Sequence, residues 1–167
     1  MKPDATPDRD PTAVSRKKDH IELAFQSQME ALELDKRFNY EPALAAHPEP
    51  GSIPPLKFVG KILRSPIWVS SMTGGTALAR TINQNLARAC AEFGMGMGLG
   101  SCRQLLYSDE YLADFDVRDL IGPDLPLYAN LGVAQVEQLL ERKETATISQ
   151  LLKRLSADGL IINITPL

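Results

Sequence analysis

Residues 66–75 read Pro-Ile-Trp-Val-Ser-Ser-Met-Thr-Gly-Gly. The apolar, β-prone half of this stretch predicts a strand, and the small hydroxyl residues and paired glycines after it predict a tight turn. Helical periodicity follows at once: Leu78, Ile82, Leu86, Ala89, Cys90 and Phe93 fall on one predicted face. Gly94 stands where a helix commonly closes on a left-handed residue. A strand, a turn and a helix in that order make one βα unit.

The unit recurs downstream. A second apolar run covers residues 95–100, followed by a predicted helical stretch over about 108–114. A third covers 125–131 and precedes a helix carrying Val133, Val136, Leu139 and Leu140. Another helix holds Ile148, Leu151, Leu152 and Leu155, and a fourth run occupies 159–164. The runs begin near residues 66, 95, 126 and 160, about thirty apart, which is the rhythm of βαβ units in a parallel sheet. Either a doubly wound sheet or part of a (βα)₈ TIM barrel fits. A complete barrel typically takes about 250 residues. No covering helix follows Ile164, although a strand buried on both faces needs one. The expectation is therefore α/β, a partial barrel of about four parallel units, the amino-terminal part of something longer.

Upstream, residues 56–63 read as a short strand pair and 38–55, rich in Pro and Ala, as a connecting loop. Asp19 and Glu22 have the spacing of a capping box for a helix running to about residue 34. Residues 1–15 hold three prolines and no apolar periodicity and are expected to form a disordered tail, leaving 16–167 as the domain.

Composition bounds the function classes. The 167 residues carry 18 basic and 21 acidic side chains, a net charge of −3, with 44% hydrophobic and 23% charged residues. Those are ordinary globular proportions and give no electrostatic reason for a nucleic-acid or membrane-surface partner. No apolar run approaches the roughly 20 residues of a bilayer span. The first 20 residues lack the apolar core of a secretory signal. Cys90 and Cys102 stand in no CxxC or zinc spacing, so a reduced, cytoplasmic setting is the simplest reading.

Four segments could carry chemistry. Ser70-Ser71-Met72-Thr73-Gly74-Gly75 would expose backbone N–H groups to a flat or anionic ligand; the plainer alternative is an ordinary strand-to-helix turn. In residues 94–103, Gly-Met-Gly-Met-Gly-Leu-Gly-Ser-Cys-Arg, strand alternation puts the four glycines on one face. A planar cofactor or a closely packed neighbouring element would fill that space, and the stretch does not complete G-x-G-x-x-G. Ser101 and Arg103 stand just past it, placed to grip phosphate. Arg16-Lys17-Lys18-Asp19-His20 is either an anion clamp or a solvated basic cluster. Asn130, in Tyr128-Ala129-Asn130-Leu131-Gly132, is a polar group at a strand's carboxyl end that serves a ligand or bonds to the adjacent loop.

In this order the segments resemble the type 2, flavin-dependent isopentenyl-diphosphate isomerases. The resemblance rests on Arg16-Lys17-Lys18-Asp19-His20, Phe58-Val59-Gly60-Lys61, Ser71-Met72-Thr73-Gly74-Gly75 and Ile82-Asn83. It continues through Gly100-Ser101-Cys102-Arg103, Phe115-Asp116-Val117-Arg118 and Ala129-Asn130-Leu131-Gly132. It implies a TIM barrel that interconverts isopentenyl and dimethylallyl diphosphate using reduced FMN, NADPH and Mg²⁺, and a homo-oligomer. Flavin contacts would fall on Ser70, Ser71, Met72, Thr73, Ser101 and Asn130. Diphosphate contacts would fall on Arg16, Lys17, Ser101, Cys102 and Arg103.

The sequence also departs from that pattern. Where the family's fourth strand ends His-x-Asn-Pro-Leu-Gln-Glu, this chain reads Asn163-Ile164-Thr165-Pro166-Leu167. The Gln that meets substrate and the Glu that holds Mg²⁺ are not in these 167 residues, so no metal ligand is assigned and a truncated, inactive chain is expected. Two alternatives stand beside it: a non-catalytic half-barrel completed by a partner chain, and a different FMN-dependent barrel oxidoreductase.

Overall fold

In the computed structural model, the described residues are 19, 21–23, 49, 51–71, 73–74 and 77–164. The tail, Arg16, Lys17, Met72 and Thr165 to Leu167 lie outside them. So does most of the predicted first helix, of which Asp19 and residues 21–23 are helical.

The predicted strand pair is an antiparallel hairpin, β1 (Leu56–Phe58) and β2 (Lys61–Leu63), with Phe58 opposite Lys61. Its two-residue loop puts Val59 at φ 45° and Gly60 at φ 81°. A tight hairpin with the native twist requires positive φ at both central positions. Glycine meets that freely, whereas a β-branched valine does so under strain.

The four runs form one parallel sheet. Its strands are β3 (Trp68–Val69), β4 (Gly96–Ser101), β5 (Leu127–Gly132) and β6 (Gly159–Asn163), side by side in chain order. Between β3 and β4 runs helix α1 (Ala77–Phe93). Between β4 and β5 come a 3₁₀ turn (Arg103–Leu106), α2 (Leu112–Phe115) and α3 (Arg118–Ile121). Helices α4 (Val133–Glu141) and α5 (Ala146–Arg154) link β5 to β6. The strand order never reverses, so these four strands lack the switch point that defines a doubly wound sheet.

One face of the sheet is the core. Met97, Leu99, Leu127, Ala129 and Leu131 are buried against Ala87 and Cys90 of α1, Leu139 of α4 and Leu151 and Leu155 at α5. Continuous apolar strands suit a sheet covered in this way. Two expectations change in detail. The helical stretch expected over 108–114 is instead two single turns centred later, because Asp116 leaves the helical region at ψ 93°. The buried face of α1 is rotated by about one residue: Ala79, Asn83, Ala87 and Cys90 are inside, while Leu78 and Phe93 are exposed. Small side chains let α1 lie close to the sheet, so side-chain size outranks hydrophobicity there. Gly94 closes α1 as expected, at φ 69°, with the Gly94 and Met95 amides both donating to the Cys90 carbonyl. The Arg64 guanidinium donates to the free Ala91 and Glu92 carbonyls of the same helix end.

The amino-terminal end of the sheet is tied by ions. Asp158, just before β6, accepts from the Leu127 amide (2.9 Å) and from Arg118 Nη2 (2.8 Å), and pairs with Lys61 Nζ at 2.6 Å. Lys61 also donates to the Pro123 carbonyl, and Arg118 to those of Gly122, Leu125 and Ser156. Burial pushes the Asp158 pKa up, but the bonds from Lys61, the Leu127 amide and Arg118 outweigh it and hold the carboxyl below its usual value. One polar knot thereby joins the hairpin, α3, β5 and β6.

Candidate functional site

The face of the sheet opposite the helices holds the glycines, and protein occupies the space they vacate. A Cβ built at Gly96 would lie 2.2 Å from the Trp68 ring; one at Gly98 would lie 2.5 Å from Ser71 Oγ and 2.8 Å from Ile161 Cδ1. Trp68 packs edge-on against Tyr128 (centroids 5.4 Å apart) and tilted against Phe58 of the hairpin (5.3 Å). Of the two readings of the glycine face, close packing of a neighbouring element therefore holds for the lower part. Burial, aided by the Asp158 charge, raises the Tyr128 pKa, so the ring remains neutral.

The upper part of that face is different. Ser70 and Ser71 follow β3, Ser101 ends β4, and Asn130 lies near the end of β5, so all reach the carboxyl edge of the sheet. Parallel α/β sheets bind ligands at that edge. A register shift between Gly98 and Ser101 makes Ser101, not Gly100, the partner of Asn130. Without it, alternation would turn Ser101 toward the helices; the irregularity brings the hydroxyl to the face that carries Asn130. The Cys102 amide donates to the Asn130 carbonyl at 2.8 Å, which fixes the two strand ends together.

Asn130 is 6% exposed, and among the described residues its side-chain amide has no hydrogen-bond partner. A primary amide offers two donors and an acceptor. Such a group fits the edge of a heterocycle that carries both donors and acceptors.

The turn after β3 is held from three sides. Thr73 Oγ1 donates to Asn83 Oδ1 at 2.6 Å, and Asn83 Nδ2 donates onward to the Asp114 carbonyl at 2.8 Å. A Cβ at Gly100 would lie 2.1 Å from the Thr73 carbonyl oxygen, and one at Gly74 would lie 2.1 Å from Phe115 Cζ. Glycine at both places lets backbone approach where any side chain would collide. Cys102 is fully buried and its thiol donates to the Gly100 carbonyl at 3.3 Å, so Ser101 and Arg103 are the partly exposed members of their segment. The Cys90 thiol is pushed up to about 11 by burial and is inert at neutral pH. Among the described residues, no cluster of three or more His, Cys, Asp or Glu is arranged to hold a metal ion. Nor does any described helix have the length and apolarity to cross a membrane.

The sequence shows Asn83 only as part of a motif and Gly100 only as one of the glycines on a strand face, yet both shape the turn. The available signal for Asn83 was an amide at the centre of a helix face otherwise made of Ala79, Ala87 and Cys90. Of the expected site residues, the structure brings Ser71, Thr73, Ser101 and Asn130 to one end of one sheet. Arg16, Lys17 and Met72 fall outside the described residues.

Comparison with known proteins gives one consistent answer. No family model matches the chain. Curated relatives do. It is 36% identical over 163 residues to the isopentenyl-diphosphate delta-isomerase of Rickettsia akari, covering 92% of this chain and 45% of that protein. The Rickettsia felis protein of the same name is 44% identical over 110 residues, 66% of this chain and 31% of that one. A Synechococcus isopentenyl-diphosphate delta-isomerase is 36% identical over 156 residues, 91% of this chain and 44% of that one. The sequence thus spans about half the length of the curated relatives it matches, and those relatives are named as isomerases of isopentenyl diphosphate.

Proposed function

We propose that this chain is the amino-terminal half of a type 2, FMN-dependent isopentenyl-diphosphate isomerase, and that its sheet is the first part of a (βα)₈ barrel. The observation that carries the reading is Asn130: a nearly buried amide with no hydrogen-bond partner among the described residues, beside a serine that a strand irregularity turns to the same face. The unreversed strand order supports the barrel, since a barrel adds each βα unit on the same side of the last.

In this reading Ser70, Ser71, Met72, Thr73, Ser101 and Asn130 hold the flavin. The Asn130 amide meets donors and acceptors along the ring edge, and backbone N–H groups of the turn approach the ring. Ser101 and Arg103, with Arg16 and Lys17 from the amino-terminal segment, hold the diphosphate; a guanidinium suits it because it donates two parallel bonds. Bound there in reduced form, a flavin would supply acid–base chemistry for the shift of the double bond, with NADPH as its reductant. The protein's part would be placement and charge, with the substrate anchored by its diphosphate. Mg²⁺ would neutralise the diphosphate, and its ligands are sought outside the described residues.

Titrating the chain with FMN, followed through the emission of Trp68, tests the reading, because Trp68 is the chain's sole tryptophan. A weak but saturable quench is expected, since only part of a pocket is present, and Asn130→Ala should weaken it about tenfold, the scale of one lost buried bond. A linear response that is identical in both proteins would overturn the flavin assignment.

One observation favours a second reading. Ile162 and Ile164, on and just after the edge strand β6, are 49% and 74% exposed. A bare apolar edge invites pairing. Sedimentation of the chain as a well-folded dimer would support a half-barrel completed by a second copy, and a monomer would remove that reading.

A further inference from the structure

We propose that Asn83 is a positioning residue for the turn between β3 and α1, and that it sets that turn's affinity for flavin without touching the ligand. This rests on the flavin reading above and names the residue on which the geometry of that same site depends. Asn83 is 1% exposed and lies in the middle of α1, where an amide is out of place unless both of its ends are satisfied. Both are. Its oxygen accepts from Thr73 Oγ1 at 2.6 Å, and its nitrogen donates to the Asp114 carbonyl at 2.8 Å.

The amide therefore bridges the turn after β3 and helix α2. Asp114 is itself held: its carboxylate, 6% exposed, accepts from Arg80 Nε at 3.1 Å, so the far end of the bridge is anchored to the same helix. Across the turn, Gly100 removes every side-chain atom that would separate β4 from the Thr73 carbonyl. Thr73 is consequently pinned twice, by its hydroxyl to Asn83 and by its backbone against Gly100. A turn that binds a ligand through backbone N–H groups needs its dihedral angles fixed in advance, because ordering them on binding costs affinity. With the Thr73–Asn83 bond in place, Thr73 is already in position when ligand arrives. Without it, the buried Asn83 oxygen loses its partner and the turn is free to move off Gly100.

The test uses three variants of the full chain, Asn83→Ala, Thr73→Val and Thr73→Ser, with two readouts. The first is amide hydrogen exchange without ligand. Asn83→Ala and Thr73→Val should each speed exchange at residues 70–74 about tenfold, while β5 and α4 keep their protection. Thr73→Ser, which keeps the hydroxyl, should behave like the parent. The second readout is FMN affinity through Trp68 quenching, which should fall by a similar factor in the same two variants and recover in Thr73→Ser. Uniformly faster exchange across the sheet, or a loosened turn with unchanged FMN affinity, overturns the proposal. If Asn83→Ala does not fold, Thr73→Val decides, because it leaves the bond to Asp114 intact. Failure of the parent chain to bind FMN at all would sink the flavin reading instead, and the exchange data would still decide whether Asn83 holds the turn.

Discussion

The two ends of the parallel sheet handle polar groups in opposite ways. At the amino-terminal end charge is used internally: Lys61, Arg118 and Asp158 satisfy one another, four backbone carbonyls and an amide. At the carboxyl end Asn130 is buried with no protein partner among the described residues, and Ser101 is turned out of its regular alternation to stand beside it. One end is built for cohesion, while the other keeps polar groups available. That division is what a ligand site at the carboxyl edge requires, and it provides a set of substitutions with opposite expected signs.

The largest effect is expected at the cohesive end. Asp158→Ala leaves Lys61 and Arg118, only 21% and 13% exposed, without their shared counter-ion. Losing charge-assisted bonds of this kind should cost about 2–3 kcal/mol in a denaturant titration, with little change in ligand binding at the other end. The same residue carries a pH signature. Folding lowers its pKa below the usual 3.8, so in that range the unfolded chain binds the proton more readily. The clamp's contribution is complete above 3.8 and drains away as pH falls through the lower folded value. The parent should thus lose stability on acidification more steeply than Asp158→Ala. Parallel acid limbs would mean that the clamp is not ionic in solution.

Next in size is Gly100→Ala at the ligand end. The new methyl would meet the Thr73 carbonyl at 2.1 Å, and backbone cannot swing aside as a side-chain tip can. A cost of about 2 kcal/mol is expected, with a larger fractional loss of FMN affinity than Asp158→Ala causes. Equal ligand affinity in the two variants would erase the proposed difference between the ends.

How much of this was legible in the sequence follows from the range of each interaction. The four strands and the close of α1 at Gly94 are local patterns, and they appear where periodicity and a single glycine put them. Residues 103–121 misled, because a short apolar stretch supports either one helix or several single turns, and tertiary packing around Phe115 and Ile121 decides. The glycine face is visible in the sequence, but not its occupant: Trp68 comes from β3, Ser71 from the turn after it and Ile161 from β6. The Ser101 register shift leaves no mark in composition. Lys61, Arg118 and Asp158 are far apart in the chain, so no spacing rule links them; two of the three were quoted only because they sit in motifs of the resembled family. Likewise, Asn130 stands out as a polar residue in an apolar strand, but its place beside Ser101 is a fact of three-dimensional packing.

Asn130→Leu should have the reverse sign. Asn130 is nearly buried and has no hydrogen-bond partner among the described residues, so an apolar side chain of similar volume should raise stability, by up to about 1 kcal/mol. FMN quenching should be abolished in the same protein. A loss of stability would show that the amide is satisfied within the chain, and the contrast between the ends would then rest on Ser101 alone.

The smallest effect lies in the hairpin, on the cohesive side. Val59 sits at φ 45° and is 72% exposed, so it bears the strain of a left-handed conformation while burying little surface in return. Asparagine tolerates that region far better, and Val59→Asn should raise stability by roughly 0.5–1 kcal/mol, read as a shift in the denaturant midpoint. Because Phe58 and Lys61 flank the turn, the gain should require an intact clamp and shrink in the Asp158→Ala background, where Lys61 no longer holds the hairpin against β6. An additive gain in both backgrounds would instead make the hairpin energetically independent of the sheet, and the cohesive end would then comprise Arg118, Asp158 and the ends of β5 and β6 without it.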